Sequence, residues 1–279
     1  MALDLAPRAD GDEALRPFPP GPLLSIGSGR TRITLAPEAG GRIARLVHDD
    51  VDWLVGYDAS NAAMIAWGCF PMVPWAGRVR RGAFRFEGRD HRLPLNLRGH
   101  AIHGVGFALP WQVDAVAGDR VALSLALPAD ARWPFGGVTR QHIEVGDRHA
   151  SMHLSITAGD VAMPASIGWH PWFRKPDRLE FSPRAIYPRD ADAIAVPPPV
   201  APTPGPWDDC FLNDAPVQLH LGGQRVRITS GFDHWVVYDE TALSTCVEAQ
   251  SGPPDAFNLA PRILPPGASL HGWFRLDWI

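Results

Sequence analysis

Cysteine is scarce in this chain: Cys69, Cys210 and Cys246 are odd in number, far apart and without CxxC spacing among 279 residues. A disulfide framework and a cysteine zinc cluster are therefore both poorly supported, and a reducing compartment fits best. Basic clusters are equally scarce. With a net charge of −4 and scattered arginines, nothing forms the positive footprint that a nucleic acid or an anionic membrane would need. No hydrophobic window approaches the length of a membrane span. The opening stretch MALDLAPRADGDEALRPFPPGP carries acids and prolines where a secretion signal needs a basic start and an apolar run. The expectation is a cytoplasmic protein with a flexible leader over residues 1–22 and one domain over residues 23–279. Internal repeats and heptads are also missing, and no shift in composition divides the chain.

What the chain has in quantity is apolar residues (46%), enough for a sizeable core, together with 27 glycines and 29 prolines that punctuate short segments. That pattern predicts an antiparallel all-β protein with few helices. Strands are expected at 31–35 and 41–47, joined by Glu38, Ala39 and Gly40. In 120–127 the residues Val121, Leu123, Leu125 and Leu127 share one face with a period of two. The pairs 141–145/150–157 and 217–221/224–229 flank Gly146-Asp147 and Gly222-Gly223 and read as hairpins. Segments 234–239, 245–249 and 269–276 supply further strands. Residues 182–213, which include Val196-Pro197-Pro198-Pro199, are too proline-rich for an interior strand and predict a long surface excursion.

Several short segments could carry chemistry. Residues 68–82 mix prolines, apolar residues and Arg78, Arg80 and Arg81, which reads as a rigid loop. A guanidinium directly after the apolar part, at Arg78, could fork hydrogen bonds to hydroxyls or a carboxylate, whereas Arg80 and Arg81 read equally well as solvated surface. His100 and His103 are three apart, which allows a metal pair, but no carboxylate or cysteine stands at partner spacing; local structural histidines are the plainer reading. His170 lies among Trp169, Trp172 and Phe173 and precedes Pro171, so its backbone is restricted to extended conformations. An apolar cage lowers an imidazole pKa and a carboxylate raises it, which makes such a site tunable as an acid. Glu248 ends a strand just before a turn, and on pattern alone it could simply face outward. Asp208 and Asp209 sit inside the excursion, able either to bind hydroxyls or to solvate a loop. The 11 tryptophans could stack on a sugar ring, although most are better read as core.

Taken in order, the strings FPMVPWAGRVRRG (70–82), HAIHG (100–104), IGWHPWF (167–173), WDDCF (207–211) and CVEAQSGPPDAFN (246–258) resemble the aldose 1-epimerase, or galactose mutarotase, family. The resemblance spans roughly residues 31–279. It implies a large single-domain antiparallel β-sandwich, the galactose mutarotase-like supersandwich, with an open sugar cleft. It also implies roles: His170 as general acid, Glu248 as general base, His103 as the second active-site histidine, and Arg78 and Asp208 as sugar-binding residues. A free hexose such as galactose or glucose would be the partner, with no cofactor and no metal, in a monomer or homodimer. Three positions depart from common family patterns: Gly77 stands where many members have asparagine, Val105 replaces a frequent second glycine, and His100 replaces a frequent asparagine. These put sugar identity in question more than activity. The competing expectations are a non-catalytic carbohydrate-binding protein on the same fold, a hexose-phosphate epimerase whose phosphate site is built from Arg78, Arg80 and Arg81, and a glycosidase. The last calls for a second carboxylate opposite Glu248, to be supplied by Asp208 or Asp209.

Overall fold

A computed structural model of the chain describes residues 11–279. Its strands build two large antiparallel sheets. The first runs, in spatial order, Leu24–Ser28, Thr31–Ala36, Arg42–His48, Cys69–Met72, Gly168–Arg174, Ser244–Gln250, His234–Tyr238, Asp208–Leu212 and Ala185–Ile186, with Val51–Asp52 added beside Arg42–His48. The second runs Gln112–Val116, Arg120–Ala126, Val138–Gly146, His149–Thr157, Ser269–Trp278, Gln224–Ser230, Val217–Leu221 and Arg178–Glu180. The main core lies between them: Ile33 and Trp169 from the first sheet meet Leu123, Leu154, Val226 and Phe274 from the second. The expected all-β sandwich is therefore the observed architecture. Among the described residues the α-helical content is one turn, Ala256–Leu259, and no helix is long and apolar enough to cross a membrane.

In the second sheet the folding logic follows directly from the sequence. Along Val138–Gly146 exposed and buried residues alternate, so Thr139, Gln141, Ile143 and Val145 point inward while Arg140, His142 and Glu144 meet solvent. Its partner His149–Thr157 pairs in register with Gly146 opposite His149, so the turn falls on Asp147-Arg148, one residue later than expected, and Val217–Leu221 pairs with Gln224–Ser230 across Gly222-Gly223, whose φ values of 58° and 78° favour glycine.

Three expectations need correction. Of the leader expected over residues 1–22, the first ten residues lie outside the described ones. From Asp12 onward the chain is packed: Ala14 and Leu15 are buried in a cluster with Ile65 and Phe107, Ala14 N–H donates to Asn96 O at 3.0 Å, and the Asp12 carboxylate accepts from Arg98 N–H at 2.7 Å. Within the loop expected at 68–82, Cys69–Met72 is an interior strand, buried at every position. A segment buried on both faces loses the alternation that marks a strand in sequence. In the excursion, Asp208–Leu212 is a strand one place in from the sheet edge, and it contains none of the segment's prolines.

Candidate functional site

The central strands of the first sheet align a row of side chains across its outer face. Gly168–Arg174 pairs with Ser244–Gln250 so that Gly168 faces Gln250 and Trp172 faces Cys246, which brings His170 level with Glu248. On one side His170 faces Phe70; on the other, Glu248 faces Val236 and Val236 faces Cys210. A second row, two residues along, runs Trp172, Cys246, Tyr238 and Asp208. Alternation sends the intervening Trp169, Val247, Ala249 and Trp235 into the core. Trp169 is fixed there by its indole N–H, which donates to Gln141 Oε1 at 3.1 Å, and Gln141 Nε2 in turn donates to Gly41 O at 2.9 Å. The residue preceding His170 is thus tied to both sheets.

Loops complete the pocket over these rows. The short strand Arg78–Val79 pairs with Ala101–Ile102, and His103 N–H donates to Gly77 O at 3.0 Å, so Arg78 and His103 enter side by side. The excursion contributes Tyr187, Arg189 and Ala193. Arg78, His103, His170, Asp208 and Glu248 therefore all line one cavity, together with Trp172 and Tyr238.

Within it, His170 Nε2 lies 3.2 Å from Glu248 Oε1, both side chains being almost wholly buried. The imidazole is sandwiched between Phe70 and Trp172, with ring centroids at 4.7 and 5.3 Å and tilts of 26° and 19°. His103 stands edge-on to it at 4.9 Å. Burial lowers the His170 pKa to about 3, and burial, followed by the neighbouring His170 and then Arg78, holds His103 well below its usual value. Burial and the neighbouring Asp208 push the Glu248 carboxyl well above its ordinary range, with Arg78 opposing. Both shifts run the same way: burial disfavours the charged form of each partner. The Nδ1 atom of His103 is buried without a hydrogen-bond partner among the described residues. Arg78 is itself desolvated, which lowers its pKa, and Asp208 is the acid that most favours its charge.

Beneath Phe70 lies a cation absent from the sequence reading. Arg42 is fully buried and donates to four carbonyls, Ala39 O (2.6 Å), Met64 O (2.8 Å), Trp67 O (3.1 Å) and Phe107 O (2.9 Å). Its guanidinium stacks 4.2 Å from the Trp67 ring and 5.0 Å from that of Phe70. The layers Trp67, Arg42, Phe70, His170 and Trp172 hold the imidazole plane from behind.

Other sequence candidates separate. Arg80 pairs with Asp190 and Asp192, Arg81 is exposed, and neither lines the pocket, so the three-arginine phosphate site does not assemble. His100 and His103 do not act as a pair: His100 Nδ1 accepts from Arg81 N–H at 3.1 Å and its Nε2 is 3.8 Å from Asp192. Among the described residues one ligand-type set converges instead, His170, Cys246 and Glu248, with donor atoms within 4.8 Å of one another, although burial holds the Cys246 thiol well above its usual pKa. The family departures also have physical reasons. Gly77 has φ of 68° and a Cβ there would come within 3.0 Å of Pro254 Cα, whereas Val105, at φ −106°, needs no glycine. Tyr187, Arg189 and Tyr238 escaped sequence reading. For Tyr238 the signal was its period-two spacing from Val236; Arg189, beside Pro188 in an irregular segment, offered none.

A sequence profile of the family described as aldose 1-epimerase matches residues 22–277. The chain belongs to this family. Two curated relatives from Escherichia coli K12 are both described as uncharacterized: YphB, 31% identical over 158 residues (54% of this chain and 51% of YphB), and YihR, 25% identical over 157 residues (54% and 50%). These matches span about half the length of each relative. Among solved structures, a GalM/aldose epimerase homologue from Caenorhabditis elegans superposes with a TM-score of 0.79 at 15% identity, covering 92% of this chain and 98% of that one. The galactose 1-epimerase of Lactobacillus acidophilus gives 0.77 at 15% identity (90% and 92%), and a galactose mutarotase-like protein of Clostridium acetobutylicum gives 0.78 at 16% (90% and 93%). At these identities the superpositions establish the shared fold.

Proposed function

We propose that this protein is an aldose 1-epimerase that interconverts the α and β anomers of a free aldose, with Glu248 and His170 as the proton-transfer pair. The observation that carries this reading is the 3.2 Å contact between a buried imidazole and a buried carboxyl in a pocket lined by polar groups. Anomer exchange needs one proton removed from the C1 hydroxyl and one delivered to the ring oxygen, and then the reverse. A pair that holds one proton between two opposed groups meets that requirement without a cofactor.

From the ionised form of the pair, Glu248 takes the C1 hydroxyl proton while the His170 imidazolium protonates the ring oxygen. The C1–O5 bond breaks, leaving an aldehyde, a protonated carboxyl and a neutral imidazole. This last protonation state is the one that burial favours in the pocket. Rotation about C1–C2 presents the other carbonyl face, and closure returns both protons. Arg78, Asp208 and the unmatched His103 Nδ1 hold the sugar hydroxyls meanwhile.

Time-resolved polarimetry or NMR of freshly dissolved α-D-galactose, α-D-glucose and a panel of other free aldoses tests the assignment. Wild type should speed anomer equilibration above the spontaneous rate, and folded Glu248→Gln and His170→Asn should lose that acceleration. Sugar binding without acceleration would favour the non-catalytic carbohydrate-binding alternative.

A further inference from the structure

Asp208 enters the pocket as one member of a group of acids. Asp209 follows it on the same strand, and Glu240 approaches from the turn after His234–Tyr238. Two cations face it: Arg78 from the opposite loop and Arg189 from the excursion. Arg189 makes the contacts. Its Nη1 lies 3.0 Å from Asp208 Oδ2 and donates to the Asp208 carbonyl at 2.9 Å; its Nε is 3.4 Å from Asp209 Oδ1, and its Nη2 is 3.3 Å from Glu240 Oε1. One guanidinium thus spends all three of its nitrogens on three carboxylates, and grips the main chain of the residue it serves.

The excursion is pinned on both sides of this arginine. Tyr187 N–H donates to Cys210 O at 2.8 Å, which ties the segment to the sheet, and Asp190 pairs with Arg80, two residues on from Arg78 and outside the pocket lining. A guanidinium held between two such anchors is placed by the fold. Arg189 contacts this carboxylate through Oδ2, so Oδ1 lies outside its grip.

We propose that Arg189 is a positioning residue for sugar recognition, which fixes the Asp208 carboxylate in the pocket so that Oδ1 accepts a hydroxyl of the bound aldose. The inference rests on the epimerase reading and extends it to a residue that does not touch the reacting atoms. Without Arg189, Asp208 would sit beside Asp209 and Glu240 with Arg78 as its remaining cation, and burial, which already raises its pKa, would protonate it more readily. The loss should fall on binding rather than on proton transfer at C1.

The test is anomer-exchange kinetics of wild type, Arg189→Met and Arg189→Lys on the aldose that wild type turns over fastest, with thermal unfolding run in parallel. Arg189→Met should raise KM about tenfold, as expected for a lost charge-assisted contact, and leave kcat within about threefold. Its KM should begin to climb at a higher pH than that of wild type as the solution is acidified. Arg189→Lys, which keeps the charge but not the fork, should recover part of the KM. If Arg189→Met fails to fold, Arg189→Lys and Arg189→Gln carry the same comparison. An unchanged KM, or a fall in kcat at constant KM, overturns the role of Arg189 while leaving an active epimerase. A wild type that accelerates no aldose refutes the epimerase reading, and the Arg189 role with it.

Discussion

The outer faces of the two large sheets have opposite fates. On the second sheet, His142, Glu144 and His153 stand on exposed positions of their strands. On the first, the corresponding face is roofed by loops: Cys69–Met72 and Ser244–Gln250 are buried at every position, and Gly168–Arg174 at all but the last. A sheet with one wet face spends its outward residues on solubility. Covering that face turns the same geometric positions into a desolvated chamber, where an imidazole and a carboxyl acquire pKa values far from their ordinary ones.

The largest expected effect follows from that chamber. Glu248→Gln and His170→Asn should each reduce the catalysed anomer-exchange rate by about 10² to 10⁴-fold, the range typical of a lost general acid or base. Circular dichroism and a cooperative unfolding transition should stay close to wild type. Retention of most of the rate by either folded variant would remove that residue from proton transfer.

Next in size is the support under the chamber. Arg42→Met would orphan carbonyls at Ala39, Trp67 and Phe107 in an apolar setting, and should cost about 3 kcal/mol or more in denaturant unfolding. An exposed arginine on the second sheet, such as Arg140, should change stability by less than about 0.5 kcal/mol when replaced the same way.

The contrast between the sheets also explains what could be read from sequence. Strands with a wet face announce themselves by alternation, which is why 120–127 and the hairpins at Gly146-Asp147 and Gly222-Gly223 were readable to within a few residues. The covered strands carry no such signal. Cys69–Met72 reads as a loop because Pro71 and an unbroken apolar run hide its period. Of the candidate site, the pocket-lining Arg78, His103, His170, Asp208 and Glu248 were accessible through family resemblance, because their strings stand out chemically. Arg42 and Arg189 were not accessible, since an arginine's partners lie far away in sequence: Phe107 for the first, Glu240 for the second.

Stability against pH separates the paired groups by sign. His170 is lowered from 6.5 to about 3, so in that window the unfolded chain binds a proton that the native state lacks, and stability falls as pH drops below 6.5. His103 acts in the same direction. Glu248 is raised, so above 4.5 the native state keeps a proton that the unfolded chain releases, and stability falls as pH rises. Between pH 5 and 6.5, His170→Asn should therefore flatten the rise of stability with pH, and Glu248→Gln should steepen it. The two variants should depart from wild type in opposite directions, each by about 2 kcal/mol at most over this interval. Urea unfolding at the two pH values measures both.

The smallest effect provides the control that gives the others meaning. His153, like His170, occupies the middle of a long strand on the outward face of a large sheet, and its cross-strand neighbours are His142 and Trp273. The substitution His153→Asn is chemically identical to His170→Asn, yet it removes an imidazole that water already solvates. It should leave anomer-exchange kinetics within about twofold of wild type and stability within about 0.5 kcal/mol. If His153→Asn instead abolished the acceleration as His170→Asn is expected to, burial under the covering loops would not be what distinguishes the two faces, and the assignment of the proton-transfer pair would lose its physical basis.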